Sequence, residues 1–177
     1  MLFRSIAVAA GAGGHAGSHS PFALIQDIRA WFDGPLALSG AIATGAAILA
    51  AQAMGADLAY IGSAFIATEE ANAAAAYKQA IVDGRAEDVH GTNLFTGIFG
   101  NYLIRSIVNA GLDPANLPQS DPSKMSFGSG GNAPAKAWRD IWGSGQGIGA
   151  VSAVVPAGEL VARLSQEYAE AKARVAR

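Results

Sequence analysis

A short apolar run, a glycine-bearing loop and a helical pattern follow one another three times in the first 84 residues, and this repeat limits the fold more than any other feature. "SIAVAA" at 5–10 is ended by Gly11 and reads as a buried parallel strand. Ser20 and Pro21 then stand in cap and first-turn positions, and Phe22, Ile25, Ile28, Arg29 and Phe32 follow at helical spacing, which predicts a helix over 21–32. The second unit has a strand at 35–39, a loop carrying Gly40, and a helix capped by Thr44 and stopped at Gly55. The third has a strand at 57–61, a loop carrying Gly62, and a helix begun near Thr68 and closed by Gly84. Three consecutive βα units predict a parallel sheet with right-handed crossovers.

Beyond Gly84 the pattern changes. Residues 85–135 are rich in Pro, Ser, Asp, Asn and Gly, which predicts an excursion of loops and short helices, with a flexible linker as the competing reading. A terminal helix within 156–177 carries Leu160, Val161, Leu164 and Tyr168 on one face and charge on the other.

At 177 residues with 51% hydrophobic content, the chain can bury a core of its own. Its 12 basic residues are outnumbered by 14 acidic ones and form no cluster, so no electrostatic footprint for nucleic acid is present. The absence of cysteine excludes disulfides, thiolate nucleophiles and Cys-ligated zinc. "MLFRSIAVAAGAG" has a basic residue before an apolar run, the layout of a secretory signal, but the run is short, Ala-rich and continuous with the glycine loop. A cytoplasmic protein is therefore expected. No apolar stretch approaches the ~20 residues needed to cross a bilayer.

In parallel α/β folds ligands sit beyond the carboxyl ends of the strands, where this chain places Gly40, Gly62 and the run "GAGGHAG" with His15. Glycine there lets backbone N–H groups approach a phosphate, although each glycine taken singly also reads as an ordinary turn. His15, flanked by residues too small to cover it, suits a group that reaches a ligand, and equally an exposed loop residue. His19 and His90 lack this setting and read as structural or surface residues. No metal site is expected, because His15 and His19, although four apart, precede the Ser20–Pro21 helix start.

"GAGGHAG", "LSGAIATGAAILAAQAMGADLAYIGSAFIATEEA" and "WGSGQGIGAV" together resemble the nitronate monooxygenase family, formerly the 2-nitropropane dioxygenases. "GTNLFTGIFGNYL" and "DPSKMSFGSGG" are similar to one bacterial branch of it, so the resemblance runs along nearly the whole chain. It implies an FMN-dependent (β/α)8 barrel that oxidises small nitronates or nitroalkanes with dioxygen to a carbonyl compound and nitrite. The flavin-dependent enoyl reductases share the Gly-Gly-His motif and a similar pair of phosphate loops.

By this resemblance His15, after Gly14, matches the catalytic histidine. Gly40, Ala41 and Ile42 match a phosphate loop usually written Gly-Gly-Ile, and Gly62 and Ser63 match a Gly-Thr pair. Gln146 falls in a motif near the flavin. Ala41 and Ser63 depart from the pattern but keep the backbone donors, and Ser63 keeps a hydroxyl; Ala64 stands where many relatives have arginine.

A complete barrel of this kind takes about 200 to 250 residues or more. The chain therefore reads as an α/β partial (β/α)8 TIM barrel. Its last three βα units, the C-terminal part of an FMN-binding barrel, fill 1–84, followed by an irregular or helical excursion over 85–155 and a C-terminal helix over 156–177. Two readings follow: a fragment or one half of a split enzyme, completed by an N-terminal half, or a non-catalytic remnant that associates with a partner or its own copy through open strand edges.

Overall fold

The computed structural model describes residues 5–120 and 140–177. The segment "DPSKMSFGSGG" lies outside them. Three strands, β1 (Ser5–Val8), β3 (Leu36–Ser39) and β4 (Leu58–Tyr60), form a parallel sheet in the order β1-β3-β4, as the repeat predicts. The first strand is shorter than 5–10. Beyond Ala9, whose amide still donates to the Ser39 carbonyl, the chain turns at Gly11 with φ of 83°.

Both predicted caps are in place. Ser20 accepts the Ala23 amide at the start of α1 (Pro21–Arg29), and Thr44 accepts the Ala47 amide at the start of α2 (Gly45–Ala53). Helix α1 ends at Arg29 rather than Phe32, although the Phe32 amide still donates to the Ile28 carbonyl, and the Arg29 guanidinium ties down the exit by binding the carbonyls of Phe32, Gly34 and Gly55 and the Asp57 carboxylate. Asp57 also accepts the Leu36 amide, joining β3 to the start of β4, and these two hydrogen bonds hold its carboxyl below the usual range.

Side chains alternate across the sheet. Ala7, Leu36 and Leu38 face α1 and α2 and form a core with Ile25, Ala51 and Ala56. The register places Ile6, Ala37 and Leu58 in one row on the opposite face, and Val8, Ser39 and Tyr60 in the next. On that face Ile6, Leu58 and Tyr60 are more than half exposed, at 54%, 63% and 56%. The sheet is thus covered on one side only.

The third helix departs from expectation. Instead of one helix from Thr68 to Gly84 there is a single turn, α3 (Ser63–Ile66), then an irregular stretch, then α4 (Ala75–Asp83). Thr68 does not open a helix, because the backbone on either side of it is committed to a bridge with Val155 through the Ala67 carbonyl and the Glu69 amide.

Residues 85–120 are more ordered than loops and short helices. Strand β5 (Val89–Thr92) pairs antiparallel with β6 (Gly100–Leu103), which pairs in turn with β2 (Gly14–His15). Helix α5 (Ile104–Asn109) follows. Residues 142–144 extend this sheet, with Leu103 donating to the Trp142 carbonyl and Ser144 to the Asn101 carbonyl.

The last helix, α6 (Ala157–Val175), buries Leu160, Leu164 and Ala171. Val161, expected on the apolar face, is 50% exposed, because the buried stripe runs through 160, 164 and 171. No helix among the described residues is long and apolar enough to cross a membrane.

Candidate active site

Because β1, β3 and β4 are parallel, the segments leaving their carboxyl ends share one rim. Residues 11–14, 39–43 and 62–63 line a cavity of about 310 Å³ together with Tyr60, Gly143, Gly145 and Gly147. Gly14, Gly40, Ala41, Ile42, Gly62 and Ser63, singled out from the sequence, thus meet in one place. No lysine or arginine lines this cavity among the described residues. Any anion held here would be met by backbone dipoles. No hydrogen bond joins the amides of Ile42 or Gly62 to another described residue. Ser63 Oγ accepts the Gly145 amide at 2.8 Å, which leaves the hydroxyl proton free to donate.

The rim depends on close backbone approach. A Cβ at Gly13 would lie 2.6 Å from the Gly145 nitrogen, so the glycine run and the 143–147 loop can touch only without side chains. Gln146 is part of this contact rather than of the cavity. Its amide donates to the Gly11 carbonyl at 2.9 Å, and the residue lines neither cavity at the rim.

Ala41 has φ of 55°, the only non-glycine with positive φ among the described residues. The left-handed conformation costs an L-residue roughly 1–2 kcal/mol, and glycine's extra freedom in the unfolded chain returns about 0.5–1 kcal/mol of that. Ala41→Gly is expected to raise stability by up to about 1 kcal/mol, read as a higher urea midpoint at constant slope.

His15 lies just beyond, on β2. It lines a second cavity of about 690 Å³ with Tyr77, Phe95, Thr96, Tyr102 and Trp142. The two cavities share Gly13, Gly14 and Gly143 as their common wall. His15 is exposed, and its Nε2 lies 3.2 Å from Thr96 Oγ1. The ring therefore stands beside, not inside, the glycine-lined cavity. His19 is exposed, and His90 lies on β5 opposite Tyr102.

Tyr77, Trp142, Asn101 and Thr96 escaped the sequence reading. Asn101 is buried, and its amide holds the Ala12 carbonyl at 2.8 Å, fixing the glycine run from below. Tyr77 stacks on Trp142 at 5.1 Å and donates to the Gly143 carbonyl, which steadies the shared wall. Thr96 and Asn101 lie within "GTNLFTGIFGNYL", the connection and second strand of the β5–β6 hairpin, whereas Tyr77 and Trp142 lie outside it and carried no signal of their own.

Burial pushes the Tyr77 phenol up to about 12 from an ordinary 10.0. The folded state then holds this proton more tightly than the unfolded one, so the contribution is whole below pH ~10 and is lost as pH rises through ~12. The loss is expected to reach at most about 3 kcal/mol. Urea midpoints across this range should fall more steeply for the native chain than for Tyr77→Phe, which keeps the stack and cannot ionise.

The comparisons with known proteins bear on the family and the fold. The chain is 31% identical over 169 residues to a nitronate monooxygenase of Paraburkholderia phytofirmans, covering 88% of this chain and 46% of that protein. Its fold is similar to that of a nitroalkane oxidase from Streptomyces ansochromogenes, at TM-score 0.73 and 29% identity over 97% of this chain and 53% of the other. FabK from Thermotoga maritima matches at TM-score 0.73 and 20% identity, over 97% and 56% of the two chains, which shows a shared fold. The architecture is thus an α/β fold resembling these TIM-barrel enzymes, and the chain spans about half the length of the relatives it matches. The model of the nitronate monooxygenase family matches residues 5–167, and with that span of agreement the chain belongs to the nitronate monooxygenase family.

Proposed function

We propose that the chain supplies the phosphate seat and the proton-handling histidine of an FMN-dependent nitronate monooxygenase, as the last three βα units of a (β/α)8 barrel with its C-terminal segment. The observation that carries this is the pair of adjoining cavities, one walled by glycine loops with amides of Ile42 and Gly62 to offer, the other holding His15. The residues present fit a flavin phosphate, since the amides of Ile42 and Gly62 and the Ser63 hydroxyl are available as donors at a rim walled mainly by glycine and alanine. Flavin, when bound, supplies acceptance of electrons from a nitronate and their transfer to dioxygen.

The chain's own residues bind and orient. Gly14 and Gly143 carry the wall between the cavities, and Tyr77, Trp142 and Tyr102 give the second cavity an aromatic lining against which the alkyl part of a substrate can pack. His15, when neutral, takes the acidic C–H proton of a nitroalkane; when protonated, it holds the anionic nitronate.

The exposed sheet face carrying Ile6, Val8, Leu58 and Tyr60 supports a further part of the proposal. Five more βα units, on the same or a separate chain, would cover this face, pair with the open edges of β1 and β4, and wall off the flavin ring.

Titration with FMN and riboflavin tests the reading. The chain by itself is expected to bind either weakly. Joined to a family-type N-terminal half, it should retain FMN through gel filtration and prefer it to riboflavin by roughly 100-fold, the worth of about two charge-assisted hydrogen bonds. Equal affinity for the two flavins would refute the phosphate seat. Turnover of an enoyl thioester rather than a nitronate by the completed protein would favour the enoyl reductase reading.

A further inference from the structure

We propose that Thr96 is a positioning residue that pins the His15 proton on Nε2, so that Nδ1 is the atom through which the imidazole gains and loses protons. Thr96 Oγ1 donates to the Ile98 carbonyl at 3.0 Å, and the Ile98 amide points back at the same oxygen at 3.4 Å. A hydroxyl has one proton to give. With that proton committed, Oγ1 can only accept from His15 Nε2, 3.2 Å away, and Nε2 must carry the hydrogen. No hydrogen bond joins Nδ1 to another described residue.

The backbone holds both partners in register. His15 is paired with Gly100 across β2 and β6, and the Ala16 amide donates to the Phe99 carbonyl at 3.1 Å. The loop carrying Thr96 is closed by the Gly97 amide on the Asn93 carbonyl at 2.8 Å, with Gly97 at φ of 77°. The histidine strand and the threonine loop are thus two sides of one small sheet, and the side-chain contact spans 81 residues of sequence.

This deepens the proposed function and takes its catalytic meaning from it. When a nitroalkane C–H bond breaks, its electron pair stays on the substrate as nitronate and the proton goes to the Nδ1 lone pair. Nε2–H remains on Thr96 in both charge states, so the ring needs no rotation between them.

The test needs neither flavin nor substrate, so a failure of flavin binding and a failure of this tautomer are separate results. The chain is labelled with 15N-histidine, and the His15 ring nitrogens are recorded at roughly pH 9, above the ordinary imidazole value near 6.5. Expected are a pyrrole-type Nε2 with a slowly exchanging proton and a fully pyridine-type Nδ1. Thr96→Val, nearly isosteric at a half-buried loop position, should lose the slow proton and move both shifts toward the averaged values of free histidine. Thr96→Ser should restore them. Averaged or reversed nitrogens in the native chain, or a native pattern that survives Thr96→Val, would overturn the proposal.

Discussion

In a chain completed to the length of the family, His15→Ala is expected to slow oxidation of a neutral nitroalkane by roughly 100-fold to 10,000-fold, the usual size of general-base catalysis. The preformed nitronate, which has no proton left to lose, should be nearly spared, and FMN should stay bound, because the glycine-lined cavity does not include the imidazole. Steady-state rates on the two substrate forms, with flavin content measured by absorbance, separate the roles. Loss of nitronate affinity with a changed pH profile would instead mark His15 as the cation that holds the anion. Equal rates on both substrates in native and variant protein would return His15 to an exposed strand residue beside the cavity.

Gly45→Ala is expected to cost about 3 kcal/mol or more of stability, the upper range for forcing atoms into a packed interior. A Cβ there would lie 2.1 Å from the Tyr168 nitrogen and 2.3 Å from the Leu164 oxygen. These are backbone atoms of α6, so no rotamer change relieves the clash and the two helices must part. Parting them breaks the hydrogen bond from the Gly45 amide to Glu167 Oε2 at 2.8 Å, removes the Gln52 partner of the Tyr168 hydroxyl, and exposes Leu160 and Leu164. The matched control is Gly158→Ala, also in a helix but with nothing within 4 Å of its Cβ. It should gain roughly 0.5–1 kcal/mol from better helix propensity. Urea midpoints moving in opposite directions would establish that contact with α6, rather than glycine in a helix as such, sets the result.

The site was legible to the extent that it is built from strand ends. Gly40, Ala41, Ile42, Gly62 and Ser63 could be placed on one rim because parallel strands send their carboxyl ends the same way, whatever lies between them. Gln146 could be placed in its loop but not oriented. Whether its side chain or only its amide serves the rim depends on the path of the Gly11 carbonyl, 135 residues earlier, to which that amide donates. The family's Gly-Gly-Ile pattern pointed to position 41, and the positive φ found there gives the reason glycine is usual.

By itself the sequence determined the three parallel strands, the caps at Ser20 and Thr44, and the common rim, because each follows from side-chain period and hydrogen bonds within a few residues. Only the tertiary structure decided that His15 lies on a strand, since β2 is two residues long and exists by virtue of β6. It likewise decided that Thr68 is drawn to Val155 instead of opening a helix, and that Thr96 stands beside the imidazole. In each of these the deciding hydrogen bond joins residues more than 80 positions apart, and local propensity carries no information about a partner at that distance.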